Sequence, residues 1–261
     1  TDSSHGEYND SEWKIGKQYH IEVADGSSNK YTVTINKWDE YSLGNNSKFA
    51  KLVRVTILNY DGTGSHKDTT QEYTYDNTYG NMTSKTDWGQ VTGSTDGSYT
   101  DTGSDKSVQT ISYVTNTGNY VVGLPYDDVT VNQSSVKVNQ TRTYYDGNSL
   151  GTTGIGNVTK VEKWVVSSTY VNTQKSYDGT YGIVATSTDP DSNVTTYTAD
   201  SYHLYPATVT DALTHATAYT YDYSSGKVIQ TTESNSFVYQ NVYDGLDRVL
   251  EQKIPGASSP Y

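Results

Sequence analysis

Apolar and polar positions alternate along most of this chain in short runs, and no run holds helical spacing for more than about two turns. Tyr31-Thr-Val-Thr-Ile-Asn alternates cleanly, as does the stretch from Asn157 through Trp164. Val194-Thr-Thr-Tyr-Thr, Ala216-Thr-Ala-Tyr-Thr-Tyr and Lys227-Val-Ile-Gln-Thr-Thr are rich in the β-branched and aromatic residues that suit a pleated, half-buried surface. Gly, Asp, Asn, Ser and Pro cluster between the runs, which is turn chemistry. The pattern predicts strands over Gln18–Val23, Tyr31–Trp38, Lys51–Tyr60, Gln71–Asp76, Val108–Val122 and Asp128–Tyr145, with Ala24–Asn29 as a hairpin turn. More strands follow from Asn157 onward. The segment 91–107 is rich in Gly, Ser and Asp and poor in apolar residues, and it reads as a surface loop inserted at a turn.

The strands repeat. Tyr177-Asp178, Ala199-Asp200, Tyr221-Asp222 and Tyr243-Asp244 fall at a constant step of 22 residues. Thr188-Asp189, Thr210-Asp211 and Thr232-Glu233 keep that step, and so do Asn193, His215 and Phe237. Tyr75-Asp76 and Thr86-Asp87 show the same 11-residue offset as Tyr177 and Thr188, and Tyr145-Asp146 carries the mark again. Roughly 7 to 8 residues per strand and 3 or 4 per turn fill one period, so the unit is a β-hairpin. A lone hairpin is marginal in water, so each copy has to lie against the next. Asp at a strand end can accept from backbone N–H groups of the turn, and Gly80, Gly182 and Gly226 supply positive φ there. Ala199 interrupts the tyrosine column, which predicts a packing defect filled by Tyr197 or Tyr202.

Tyr-Asp, a glycine-bearing turn, a Val/Thr strand, Thr-Asp-Pro and a second strand ending Tyr-Thr-Tyr-Asp resemble the YD repeat of RHS-repeat proteins. The likeness is specific over Tyr177–Gly256, partial over Tyr60–Gly89 and Gly123–Trp164, and faint before that. It implies tandem hairpins wound into a spiral antiparallel sheet that is part of a hollow shell. In Tc toxin B and C components that shell encloses a toxic polypeptide, and teneurins use a similar shell for adhesion. Family members often cleave themselves at an Asp-Pro-x-Gly motif. Thr188-Asp-Pro-Asp-Ser lacks the Gly and lies inside a regular repeat, so that activity does not carry over.

Composition sharpens the picture. Only 33% of the 261 residues are hydrophobic and the net charge is −12, which by itself points toward disorder. The 26 tyrosines, set at repeating positions, point the other way. They take the place of aliphatic residues, burying a ring while keeping the hydroxyl in reach of a partner. Eighteen scattered Lys and Arg give no basic patch for nucleic acid. The absence of cysteine removes disulfides, thiolate metal sites and cysteine nucleophiles. No apolar run approaches a membrane span. A chain that begins at Thr1 and carries its single methionine at Met82 reads as part of a longer protein.

Candidates for chemistry are few. The five histidines are dispersed: His5, His20 and His66 stand apart, while His203 and His215 occupy turn or strand-surface columns of the repeat. Asp189-Pro-Asp-Ser-Asn with Asp200 has the oxygen spacing of a calcium loop, but Val194 stands where glycine is needed and the repeat already accounts for both acids. Asp96, Asp101 and Asp105 match no metal-loop pattern. Gly151-Thr-Thr-Gly-Ile-Gly lacks the lysine and the helix of a phosphate loop. No nucleophile elbow or pair of converging carboxylates stands outside the turns. Trp13, Trp38, Trp88 and Trp164 are candidates for stacking on sugar rings, with sheet packing as the competing use.

The reading is therefore all-β. A divergent β region over 1–58 is continuous with the sheet, and a repeat region over 59–261 carries the insertion at 91–107. The structural residues are Tyr75, Asp76, Tyr145, Asp146, Tyr177, Asp178, Asp200, Tyr221, Asp222, Tyr243 and Asp244. The expected role is a structural segment of a secreted or cell-surface shell, with no catalytic residue, cofactor or metal. Its expected partners are flanking repeats of the same chain and an enclosed toxin or other polypeptide. The competing role is an adhesive module for a glycan or receptor. An enzyme such as a glycosidase would need a deep cleft with two acids.

Overall fold

A computed structural model describes residues 12–44 and 47–256. The Ser/Asp-rich start, His5 and the end of the Pro-containing tail lie outside the described residues. After a 3-10 turn at Glu12–Lys14 the described residues form eighteen strands in one sheet. They are β1 (His20–Ala24), β2 (Lys30–Gly44), β3 (Ser47–Tyr60), β4 (His66–Tyr75), β5 (Met82–Gly93) and β6 (Tyr99–Asp101). Next come β7 (Ser107–Tyr113), β8 (Pro125–Asn132), β9 (Lys137–Tyr145), β10 (Val158–Val166), β11 (Thr169–Tyr177) and β12 (Val184–Thr188). The last six are β13 (Val194–Ala199), β14 (Pro206–Thr210), β15 (Ala216–Asp222), β16 (Lys227–Thr232), β17 (Val238–Tyr243) and β18 (Val249–Lys253).

Each strand pairs antiparallel with the next in sequence, so the whole is a run of hairpins. The exception is at β5. Its first half pairs with β7 and its far end pairs with the short β6. The N-terminal region belongs to the same sheet, through the β2–β3 and β3–β4 ladders. β2 and β3 run further than the alternation predicts, to 15 and 14 residues. Beyond the expected ends, Tyr41 stacks on Phe49 across the pair at 5.9 Å. Lys51 is 5% exposed and sets its ammonium 4.2 to 4.7 Å from the ring centroids of Tyr41, Phe49 and Tyr75. Burial pushes its pKa down, and the nearby Asp76 partly offsets this. In the other direction, the strand expected over Val108–Val122 stops at Tyr113, and the following residues make a turn closed by the Asn116–Val121 bridge.

The segment 91–107 is a folded hairpin tip, which corrects the reading of it as a surface loop. Val91 to Gly93 pair with Tyr99 to Asp101, and the connecting turn lies over the face shared by β2, β3 and β4. Val33, Ile35 and Leu58 form the buried apolar cluster beneath it. Thr56 donates its hydroxyl to Gly97 O at 2.9 Å, and Gly93 N donates to the buried Asp68 carboxylate at 2.7 Å. The tip is glycine-rich because it must come close. A Cβ on Gly93 would stand 2.8 Å from the Leu58 side chain, and one on Gly97 would stand 2.8 Å from Ile35. A composition poor in apolar residues hid this contact, since backbone and glycine do the covering. Burying the three aliphatic side chains stabilises the fold by about 1.5 to 3 kcal/mol each.

Two substitutions test the backbone. Gly97 has φ +78, so Gly97→Ala meets both left-handed strain and Ile35, and it should lower unfolding free energy by about 2 kcal/mol or more in urea. Thr214 holds φ 69 in the β14–β15 turn, where a β-branched residue is strained. Thr214→Gly should raise stability by about 1 kcal/mol and shift the thermal midpoint upward.

Candidate functional site: the tyrosine relay and the turn-edge groove

At one edge of the sheet each second strand begins with a β-bulge. Tyr75 pairs with Met82 and Thr74 with Ser84, leaving Thr83 extra. The same shift leaves Tyr126 extra opposite Tyr113, Thr159 opposite Tyr145 and Ala185 opposite Tyr177. It recurs as Ala207 opposite Ala199, Ile229 opposite Tyr221 and Leu250 opposite Tyr243. A bulge disrupts the ladder and exposes backbone groups that need another partner. The next hairpin supplies it. Tyr113 Oη donates to Met82 O at 2.9 Å, Tyr145 to Pro125 O at 2.7 Å and Tyr177 to Val158 O at 2.8 Å. Tyr221 donates to Pro206 O at 3.0 Å and Tyr243 to Val228 O at 3.1 Å. Tyr75 reaches back to Leu52 O at 2.9 Å, beside the register shift opposite Trp38. Each acceptor is the residue that pairs with the previous ring position, so the contacts form a relay from hairpin to hairpin. Burial raises the pKa of Tyr75, Tyr113, Tyr145, Tyr177 and Tyr221, which keeps the donors protonated.

Ala199 has no hydroxyl to give. A cavity of about 130 Å³ opens there, lined by Ala199, Val184, Tyr197 and Tyr205 among others. Tyr197 is at its wall and Tyr205 stacks on Tyr221 at 4.6 Å, while the other expected filler, Tyr202, packs edge-on against Tyr223. The position that sequence reasoning missed is Tyr113. It works as the other relay tyrosines do, but it is followed by Val114 instead of Asp and stands outside the 22-residue register.

The aspartates close the turns. Asp76 accepts from the N–H groups of Thr78, Tyr79, Gly80 and Asn81. Asp178, Asp200, Asp222 and Asp244 each accept from turn amides two to four residues on. Asp189 and Asp211 do so at the opposite edge. The calcium-like loop is thus a turn closed by its own carboxylate. Glu233 is one methylene too long for the role, and Asn235 Oδ1 takes Phe237 N instead. Asp146 gathers the most donors. Gly154, Ile155 and Gly156 N–H and the Thr153 hydroxyl bind one oxygen, and Asn157 N–H binds the other. The glycine-rich stretch Gly151–Gly156 is therefore an anion nest filled by an internal carboxylate. Burial works against the Asp146 charge, but these hydrogen bonds outweigh it and bring the pKa from 3.8 to about 2.

Between the long 146–157 turn and the short 178–182 turn lies an open groove of about 1020 Å³. Tyr144, Lys160, Gln174 and Ser176 line it from β9, β10 and β11, and the register sets Tyr144 and Gln174 on either side of Lys160. Lys160 Nζ lies 3.8 Å from the Tyr144 ring centroid and 2.8 Å from Glu162. The Tyr144 hydroxyl donates to the same carboxylate at 2.9 Å. Tyr181 stands on the far side, 57% exposed, with one ring face stacked on His203 at 3.8 Å.

The tryptophans sit on four separate elements. Trp38, Trp88 and Trp164 donate their indole N–H to Gln18 O, Glu72 and Ser167 O. Lys17, Lys106 and Lys137 lie over their rings. Trp13 is in the 3-10 turn and 39% exposed. Asp105 and Asp96 accept from Gln90 N and Ser98 N. Among the described residues no group of three or more His, Asp or Glu is placed to hold a metal ion, and no helix is long and apolar enough to cross a membrane.

This is a protein built as a single antiparallel sheet of tandem hairpins. No family model matches the sequence, and no curated protein matches it. Solved structures share the fold. The crystal structure of TcdB2-TccC3-Cdc42 superposes with a TM-score of 0.70 at 14% identity, over 90% of this chain. TcdB2-TccC3 gives 0.68 at 14% over 90%, and the form without its hypervariable C-terminal region gives 0.67 at 13% over 91%. This chain spans 16 to 17% of the length of those chains.

Removing a relay hydroxyl strands a carbonyl. Tyr145→Phe and Tyr177→Phe should each lose about 1 to 2 kcal/mol in urea unfolding. Ala199→Tyr should gain stability, by filling the cavity and reaching Val184 O. Asp146 has a depressed folded pKa, so its contribution is complete above its ordinary 3.8 and is lost as pH falls toward about 2. Asp146→Asn should lower the thermal midpoint at pH 7 and flatten the stability change between pH 4 and pH 2.

Proposed function

We propose that the chain is a wall segment of an RHS/YD-repeat shell, secreted or carried at the cell surface, which encloses or presents a polypeptide and itself performs no catalysis. The relay carries this reading. Each hairpin satisfies the carbonyl opened by its predecessor, so the unit is made for joining like units, and a wall of this kind gains stability with every repeat. The likeness to the TcdB2-TccC3 chains supports it at the level of the fold.

The sheet is also prepared to continue. β18 pairs with β17, and its outer edge is open among the described residues. Val249 pairs with Tyr243 beside the Leu250 bulge, so its carbonyl occupies the acceptor position that a following hairpin would fill. Val249 and Leu250 are 58% and 65% exposed. Flanking repeats of the same polypeptide are the natural partner of this edge, and an enclosed toxin segment is the natural cargo.

Limited proteolysis of the full-length protein tests the proposal. A segment inside the shell should survive protease until the wall is denatured, and digestion of every non-repeat segment at the same rate as an unfolded control would overturn it. The 261-residue chain alone should self-associate through its open edge, seen as a concentration-dependent sedimentation coefficient. Leu250→Lys should reduce that association by placing a charge on the edge.

A further inference from the structure

Trp38, Trp88 and Trp164 spend their indole N–H groups on Gln18 O, Glu72 and Ser167 O and carry lysines over their rings, so a sugar-binding role is poorly served by them. The groove beside Tyr181 is better equipped. We propose that it binds an extended, neutral oligosaccharide, with Tyr181 as the stacking platform. This site stands independently of the shell reading.

Three observations carry the proposal. The first is shape. At about 1020 Å³ the groove is at the upper end of the range of ligand pockets, and it lies open along the sheet surface between two turns. Such a trough admits the middle of a chain-like ligand as well as its end. The second is the aromatic platform. Tyr181 has one face fixed against His203, which holds the ring in place, and it is 57% exposed while lining the groove. A pre-positioned flat ring next to polar groups suits the C–H face of a pyranose, and it saves the entropy of ordering the side chain on binding.

The third is the state of the polar groups. Most of the ionic ones are already committed. Asp146 is held by its nest, Asp178 accepts from Thr180 and Tyr181 N–H, and Lys160 is paired with Glu162. The uncommitted ones are amides and Lys175, whose side chain the alternation of β11 turns to the face opposite Gln174 and Ser176. Asn148 lies exposed on the long turn, and Gln174 uses its NH2 on Asn172 and leaves its carbonyl free. Amides accept and donate to hydroxyls and bring no net charge. An anionic ligand would meet Asp146 and Asp178, and Lys160, the lysine that lies over the Tyr144 ring, is already paired with Glu162, which favours a neutral one.

The test is a titration of the intact chain with cellohexaose, chitohexaose and maltohexaose, followed by amide NMR shifts and calorimetry. At least one should bind with a dissociation constant of about 0.1 to 1 mM, equivalent to roughly −4 to −5.5 kcal/mol, with shifts confined to 144–160 and 174–182. Tyr181→Ala should weaken binding at least about tenfold without moving the thermal midpoint, and Tyr181→Phe should restore most of it. Tyr120→Ala, at an exposed tyrosine on another turn, should change nothing. No shift in these segments at about 10 mM of any of the three sugars, binding unaffected by Tyr181→Ala, or preference for a polyuronate would each overturn the proposal.

Discussion

A hydrogen bond from a tyrosine hydroxyl to a bulge-flanking carbonyl is the contact on which this sheet depends. A bulge gives each hairpin the bend and extra twist that a long run of strands requires. It also takes a carbonyl out of the ladder, and a half-buried carbonyl without a partner is destabilising. The hairpin that comes next resolves the conflict with Tyr113, Tyr145, Tyr177, Tyr221 or Tyr243. Phenylalanine would bury the same ring and leave the carbonyl stranded, while Ser or Thr would not reach. This accounts for six of the 26 tyrosines in a chain of low hydrophobicity. Where Ala199 stands, the sheet keeps its bulge and loses both hydroxyl and ring, and a cavity marks the place.

The acidic character has a related origin. From Asp178 to Asp244 carboxylates recur every 11 residues, and all of them but Glu233 accept amides of their own turns, at both edges. An aspartate can accept two or more of them at once and stays ionised while doing so. The net charge of −12 is in large part the by-product of turn closure. A carboxylate bound by its own turn is a poor ligand for a cation, which is why runs such as Asp189 to Asn193 imitate an ion loop without being arranged as one. The 146–157 turn takes this furthest, and its rigidity gives the groove a firm wall.

The sheet is thin over most of its length, and among the described residues its one buried apolar cluster lies under the β5–β6 tip. The tip turns a short part of the sheet into two layers. Glycines at 93 and 97 permit the approach, and Thr56 and Asp68 fix it with hydrogen bonds to backbone. Next to it Lys51 fills an aromatic cage that an aliphatic residue would otherwise occupy. The N-terminal strands therefore rest on conventional burial, and the later hairpins rest on rings, hydroxyls and turn carboxylates.

The period, the hairpin unit and the turn aspartates were legible in the sequence because they are local: an alternation of two, a Tyr-Asp step and a glycine at positive φ all lie within one hairpin. The likeness to a repeat shell followed from the same marks. What tertiary structure decided is the set of contacts between units. The seven bulges opposite the tyrosine column leave no residue signature, since Thr83, Tyr126, Thr159, Ala185, Ala207, Ile229 and Leu250 share no chemistry. The role of Tyr113, the fold of 91–107 onto β2 to β4, and the groove beside Tyr181 likewise depend on residues brought together from distant positions. Propensity acts over a few neighbouring residues, whereas a carbonyl freed in one hairpin and a hydroxyl offered by the next meet only after the chain has paired.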